Sequence, residues 1–191
     1  DPSSTFESIE TNVGFLRRIV DDGSVAAVFC KMLPYDGTPI KETLMAQGRF
    51  NGDVCNPDYD FLDPRIARCY EAIGRTVGEW VRGSDCVAAM INHAWHEVFV
   101  MERLFEPGAD LVAYKTALSA VTKFSNNILF SVVEEICDGF REGGGECQQY
   151  SGLGQIREQI LATLVQQRNR YVYENQSWLL KGISKQTLVT A

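Results

Sequence analysis

Both histidines of the chain, His93 and His96, fall in one short run, Asn92-His93-Ala94-Trp95-His96-Glu97. On a helix, offsets of three and four return to the same face, so Cys86, Met90, His93 and Glu97 share one stripe and His96 lies on the next. An imidazole, a thiol and a carboxylate on adjoining stripes can serve a transition metal, and a single imidazole suffices as an axial haem ligand. His93, His96, Glu97 and Cys86 are therefore the candidate metal ligands. The plain alternative is a pair of structural histidines hydrogen-bonded to backbone or to Glu97. His-x-x-His without the flanking residues of a zinc motif is a weak pattern, and any further ligand must come from a cysteine or carboxylate elsewhere.

Trp95, Phe99, Met101 and Phe105 follow the same stretch and are candidates to line an apolar ligand pocket, although large residues at helical spacing are also what a packed core requires. Between Arg49 and Asp63 stand four aspartates, at 53, 58, 60 and 63, which raise calcium as an occupant. Their order departs from the twelve-residue EF-hand loop. The segment reads equally well as a surface excursion packed down by Phe50, Tyr59 and Phe61. Glu134, Glu135 and Asp138 gather late in a helix, as a partner-facing acidic patch or a merely solvated face. Gly-x-Ser-x-Gly is absent, and the glycines at 143–145 and at 152 and 154 follow no strand and precede no phosphate-binding lysine. Six cysteines include no Cys-x-x-Cys; those at 30, 69, 86 and 137 lie in apolar helical patterns, as buried thiols commonly do.

The elements that position these residues are read as helices. Ser4 and Glu7 form a capping-box pattern ahead of Phe6, Ile9, Val13, Leu16 and Val20. A short apolar helix is expected over Val25–Leu33, stopped by Pro34, and a brief one from Pro39 to Gly48. Arg49–Asp63 is expected to be irregular. Asp63-Pro64 opens a strong helix ending at Gly83, and Ser84 or Asp85 caps the next, apolar on nearly every side to about Phe105. A long helix from Asp110 to Arg141, bent at Ser125-Asn126-Asn127, and a final pattern built on Ile156, Ile160 and Leu164 complete the chain. The fold class is therefore all-α: an irregular bundle of seven or eight helices around a buried central helix at about 85–105. It forms one domain over 1–191, with the irregular loop at 49–63 and a C-terminal extension after 145.

The order of short helix, Pro34, loop, long helix and histidine-bearing helix resembles a globin over about residues 5 to 142. The resemblance implies haem, with His93 or His96 as the proximal ligand. The chain departs from the globin pattern at the distal position, which falls near Cys69, and in lacking an aromatic at the required spacing after Pro34.

A chain of 191 residues that is 45% apolar and 23% charged can enclose a core without help. Its net charge of −7 disfavours nucleic acid and anionic lipid as partners. No apolar run of membrane-spanning length occurs, and Asp1-Pro2-Ser3-Ser4 lacks the order of a signal peptide; the compartment stays open. The expected function is a non-enzymatic, soluble, acidic binding or assembly module that recognises a protein partner, a second copy of itself or an apolar ligand. The alternative is a globin-like protein holding haem or a transition metal through His93 or His96.

Overall fold

The computed structural model describes residues 1–104, 109–143, 150 and 152–173. Among them the chain is mostly helical: α1 (Phe6–Ile19), α2 (Pro39–Ala46), β1 (Phe50–Gly52), β2 (Pro57–Tyr59), α3 (Pro64–Val81), α4 (Val87–Leu104), α5 (Ala109–Arg141) and α6 (Leu153–Arg168), the last continued by a π-helical turn, Asn169–Tyr173. Six α-helices are present among the described residues where seven or eight were expected, and a two-stranded antiparallel sheet stands inside the segment expected to be irregular.

Local chemistry explains the boundaries. The first helix is capped one residue later than the sequence suggested: the Thr5 hydroxyl accepts from the Ser8 amide at 3.2 Å and the Ser8 hydroxyl accepts from the Thr5 amide at 2.9 Å, satisfying two amides that a helix start otherwise leaves open. Asp63 caps α3 by accepting from the Arg65 amide at 2.8 Å. The cap of α4 is Cys86, whose sulfur accepts from the Ala89 amide at 3.3 Å, in place of Ser84 or Asp85. The long helix α5 runs without a break through Ser125-Asn126-Asn127.

The expected helix over Val25–Leu33 does not form, and the reason is tertiary. The Asn126 side chain accepts from the Ala27 amide and donates to the Val25 carbonyl, which holds this stretch in a non-helical, irregular course. The helix expected to be buried all round, α4, is amphipathic. Val87, Ala88, Ile91, Ala94, Val98 and Met101 are buried, whereas Asn92, His93, His96 and Phe99 are exposed.

The chain gathers into two compact units, neither continuous in sequence. Among the described residues the first comprises Asp1–Phe15, Phe29–Val77 and 130–143. Its interior holds Val13, Leu44, Tyr59, Ile66, Cys69, Phe130, Val133 and Cys137. Phe29 meets Phe130 edge-on at 5.9 Å, and Arg141 on α5 bonds Glu10 on α1 at 2.9 Å. Among the described residues the second comprises Leu16–Val28, 78–104, 109–129, 150 and 152–173. Here Thr122, Ser125 and Asn126 form a buried polar row on α5. Thr122 accepts from the Trp95 indole at 3.2 Å and Ser125 from the Trp80 indole at 3.0 Å, so none of the three is buried without a hydrogen bond.

Candidate functional site

The residues expected to hold a metal are placed in different surroundings. Cys86 is buried at the start of α4, where its sulfur serves as a cap. His93 and His96 are exposed. Glu97, half-buried, is engaged by the Arg168 guanidinium of α6, whose Nε donates to Oε2 at 3.1 Å. Among the described residues no group of three or more His, Cys, Asp or Glu side chains is gathered as a metal would require.

The residues expected to line an apolar pocket also diverge. Trp95 turns its indole N–H to Thr122, Met101 is buried in the core, and Phe99 is exposed, with the Arg103 guanidinium 5.9 Å from its ring centre. Phe105 lies outside the described residues.

A cleft of about 920 Å³ opens instead in the first unit, beside the β1–β2 hairpin. The hairpin is built by local rules. Phe50 pairs with Tyr59, Asn51 with Asp58 and Gly52 with Pro57. Asp53 closes the turn by accepting from the amides of Cys55 at 2.7 Å and Asn56 at 2.8 Å. Gly52 has φ of +86°, and a β-carbon there would lie 2.1 Å from the Asn56 carbonyl oxygen, so only glycine fits. Arg49 fastens the base of the hairpin to the N-terminal segment, its Nη1 donating to the carbonyls of Pro2 and Asp60, each at 3.1 Å.

Aromatic rings make the apolar wall. Phe61 lies edge-on to Tyr59 at 5.2 Å and tilted against Tyr70 of α3 at 6.2 Å. Lys31, carried in by the irregular stretch, sets its ammonium 4.2 Å from the Tyr59 ring centre and 5.1 Å from that of Phe61. The same ammonium pairs with Asp58 and donates to the Tyr59 carbonyl at 2.8 Å. Partial burial pushes the Asp58 carboxyl up, but the Lys31 hydrogen bond, the Tyr59 amide and the Lys31 charge together outweigh it and hold the group below its ordinary range. Tyr59 is almost fully buried, and its hydroxyl has no hydrogen-bond partner among the described residues. Burial first, and the Asp58 charge second, push this phenol up to about 12, so it remains a neutral donor at physiological pH.

The cleft's charge is unbalanced. Asp58, Asp60 and Glu71 line it with one ammonium, Lys31; Asp58 neutralises that ammonium, and Glu71 pairs with Arg75 of α3 at 3.9 Å. Two thiols, Cys30 and Cys55, stand exposed on its lining. Of the four aspartates that suggested calcium, Asp53 is spent on the turn, Asp58 on Lys31 and Asp63 on the cap of α3 and on Arg65.

Sequence reasoning marked Tyr59 and Phe61 as packing anchors and passed over Lys31, because Lys31 lay in a stretch assigned to a helix. The signal that could have found it was the run of aromatics after β2, read together with Tyr70 one helical start further on.

Comparison with family models, curated proteins and solved structures returns no match to this chain.

Proposed function

We propose that this chain is a non-enzymatic helical binding or assembly module, and that the cleft beside the hairpin receives an apolar or aromatic group carrying positive charge, presented by a protein partner or a small ligand. The observation that carries this reading is the pairing of an aromatic wall, Tyr59, Phe61 and Tyr70, with the Asp60 carboxylate, in excess of the one cation on the lining, which Asp58 already holds. Apolar walls with a few placed polar groups are the usual make-up of a ligand site, and aromatic faces attract cations.

The test is a ligand-observed NMR screen with aromatic amines and short peptides containing arginine or lysine beside an aromatic residue, run against the chain and against Phe61→Ala. Binding that the variant loses supports the reading. A panel that binds neither protein, or both equally, removes it.

The haem or metal alternative at His93 and His96 has less behind it, since both imidazoles are exposed and Glu97 is committed to Arg168. An absorbance spectrum and elemental analysis of protein purified without chelators test it directly.

A further inference from the structure

Cys69 of α3 and Cys137 of α5 lie 68 residues apart in the chain, yet their sulfurs stand 3.5 Å from each other in the interior of the first unit. Both are reduced thiols. Each is nearly buried, at 1% and 5% exposure, so chance contact with a large reagent is excluded while a small one needs only a narrow approach. Such an approach exists at Cys137. A cleft of about 190 Å³ between α1 and α5 is lined by Ile9, Val13, Val133, Cys137 and Arg141, together with acidic side chains that include Glu10 and Asp138. Cys69 is not on that lining.

The two thiols are also chemically unequal. The hydrogen bond with Cys69 holds the Cys137 thiol below its ordinary value against the opposing effect of burial, with the Arg141 charge assisting and Asp138 and Glu134 opposing. Thiolate character at the thiol that small solutes can reach, with a second sulfur behind it, is the arrangement of an attacking and a resolving cysteine.

We propose that Cys69 and Cys137 are a dithiol modification site at which a small hydroperoxide, hydrogen peroxide as its simplest member, forms an intramolecular disulfide joining α3 to α5. In the first step the Cys137 thiolate attacks one peroxide oxygen, an S–O bond forms, the O–O bond breaks and the departing hydroxide takes a proton to become water. In the second the Cys69 sulfur attacks the Cys137 sulfenic acid, the S–S bond forms, and the hydroxyl leaves with the Cys69 proton as a second water. Two thiols are oxidised by two electrons, and one peroxide is reduced to two waters. The sulfurs must approach from van der Waals contact to about 2.05 Å, a local adjustment of two side chains and their helices.

The experiment treats the intact native chain with hydrogen peroxide, alkylates the remaining thiols after unfolding, and maps the digest by mass. The expected product is a Cys69–Cys137 peptide pair lighter by two hydrogens, restored by dithiothreitol. Oxidation of the exposed Cys30 and Cys55 while Cys69 and Cys137 both remain alkylatable overturns the proposal. Trapping with dimedone checks the order of the steps. In Cys69→Ser the label is expected on Cys137, and in Cys137→Ser no label is expected on Cys69. A label on Cys69 in the second variant, or none on Cys137 in the first, overturns the assignment.

Discussion

The Asn126 side chain holds the backbone around Ala27 by both of its ends: Oδ1 accepts from the Ala27 amide at 2.8 Å, and Nδ2 donates to the Val25 carbonyl at 2.9 Å. An amide side chain so placed mimics the edge of a strand, and it is itself buried. Two backbone groups of this stretch are therefore satisfied without the helix that its apolar residues would otherwise support.

Asn126→Ala should consequently destabilise the fold by about 1–3 kcal/mol, since it leaves the buried Ala27 amide unpaired, while the part-buried Val25 carbonyl adds little. Asn126→Asp keeps the acceptor and loses the donor, so it should fall between the two or below, depending on the cost of burying its charge. Urea unfolding at neutral pH measures both. A loss below about 0.5 kcal/mol for the alanine variant, the range of an inconsequential surface change, would show that the bridge is not what holds this stretch.

Gly23 makes a second, sterically defined prediction. Its φ is +72°, and a β-carbon there would lie 2.4 Å from the Ser119 carbonyl oxygen, on the helix whose Ser119 hydroxyl also donates to the Asp22 carbonyl at 2.5 Å. Gly23→Ala must therefore move backbone as well as adopt a disfavoured conformation. Gly14, inside α1, has nothing within 4 Å of the same added atom. Gly14→Ala should stabilise by about 0.5–1 kcal/mol through helix propensity, while Gly23→Ala destabilises. Melting temperatures that move in the same direction for the two variants would contradict this account.

Several features of this arrangement were legible in the residues themselves. Asp63-Pro64 announced the start of α3 because a short carboxylate followed by proline satisfies a helix N-terminus in almost any context. The all-helical class followed from long 3.6-residue periods, as in α1 and α3. What escaped were the features decided at a distance. Val25–Leu33 is a short apolar run, which periodicity cannot assign, and its conformation is set by Asn126, about a hundred residues away. The hairpin has strands of three residues each, too short to alternate visibly, and its one clear signal was Gly52 ahead of Asp53. The apolar surroundings of the histidines suggested a helix with no wet face, yet Phe99 stands in solvent beside Arg103. Composition alone does not say which apolar residues a neighbouring element will cover. The candidate cleft was therefore visible only in parts, as aromatics and aspartates without the lysine that organises them.

The exposure of the histidines has a measurable consequence. His93→Ala and His96→Ala should each change stability by no more than about 0.5 kcal/mol, as surface substitutions do. The same variants should leave the absorbance spectrum and metal content of the purified chain unchanged. Loss of a stoichiometric metal or of a Soret band in either variant would return these imidazoles to the centre of the function and displace the hairpin cleft from it.

The ion pair that organises the cleft sets its response to acid. The folded-state carboxyl of Asp58 titrates below the ordinary aspartate value, so the unfolded chain binds the proton more readily than the folded one does. Its contribution to stability is therefore complete above the unfolded value, near pH 4, and is lost as the pH falls through the lower folded value. Asp58 is substantially exposed, so the effect should be small, and salt should weaken it. The cleft should be more sensitive than the fold, because protonation releases Lys31 from its carboxylate and leaves the ammonium to the Tyr59 carbonyl and the two rings. Following the Asp58 carboxyl and the Lys31 ammonium by NMR between pH 6 and pH 2 should show both moving together at a midpoint below that of a model aspartate. A midpoint at or above the model value, or a Lys31 signal indifferent to it, would mean that this pair does not close the cleft in solution.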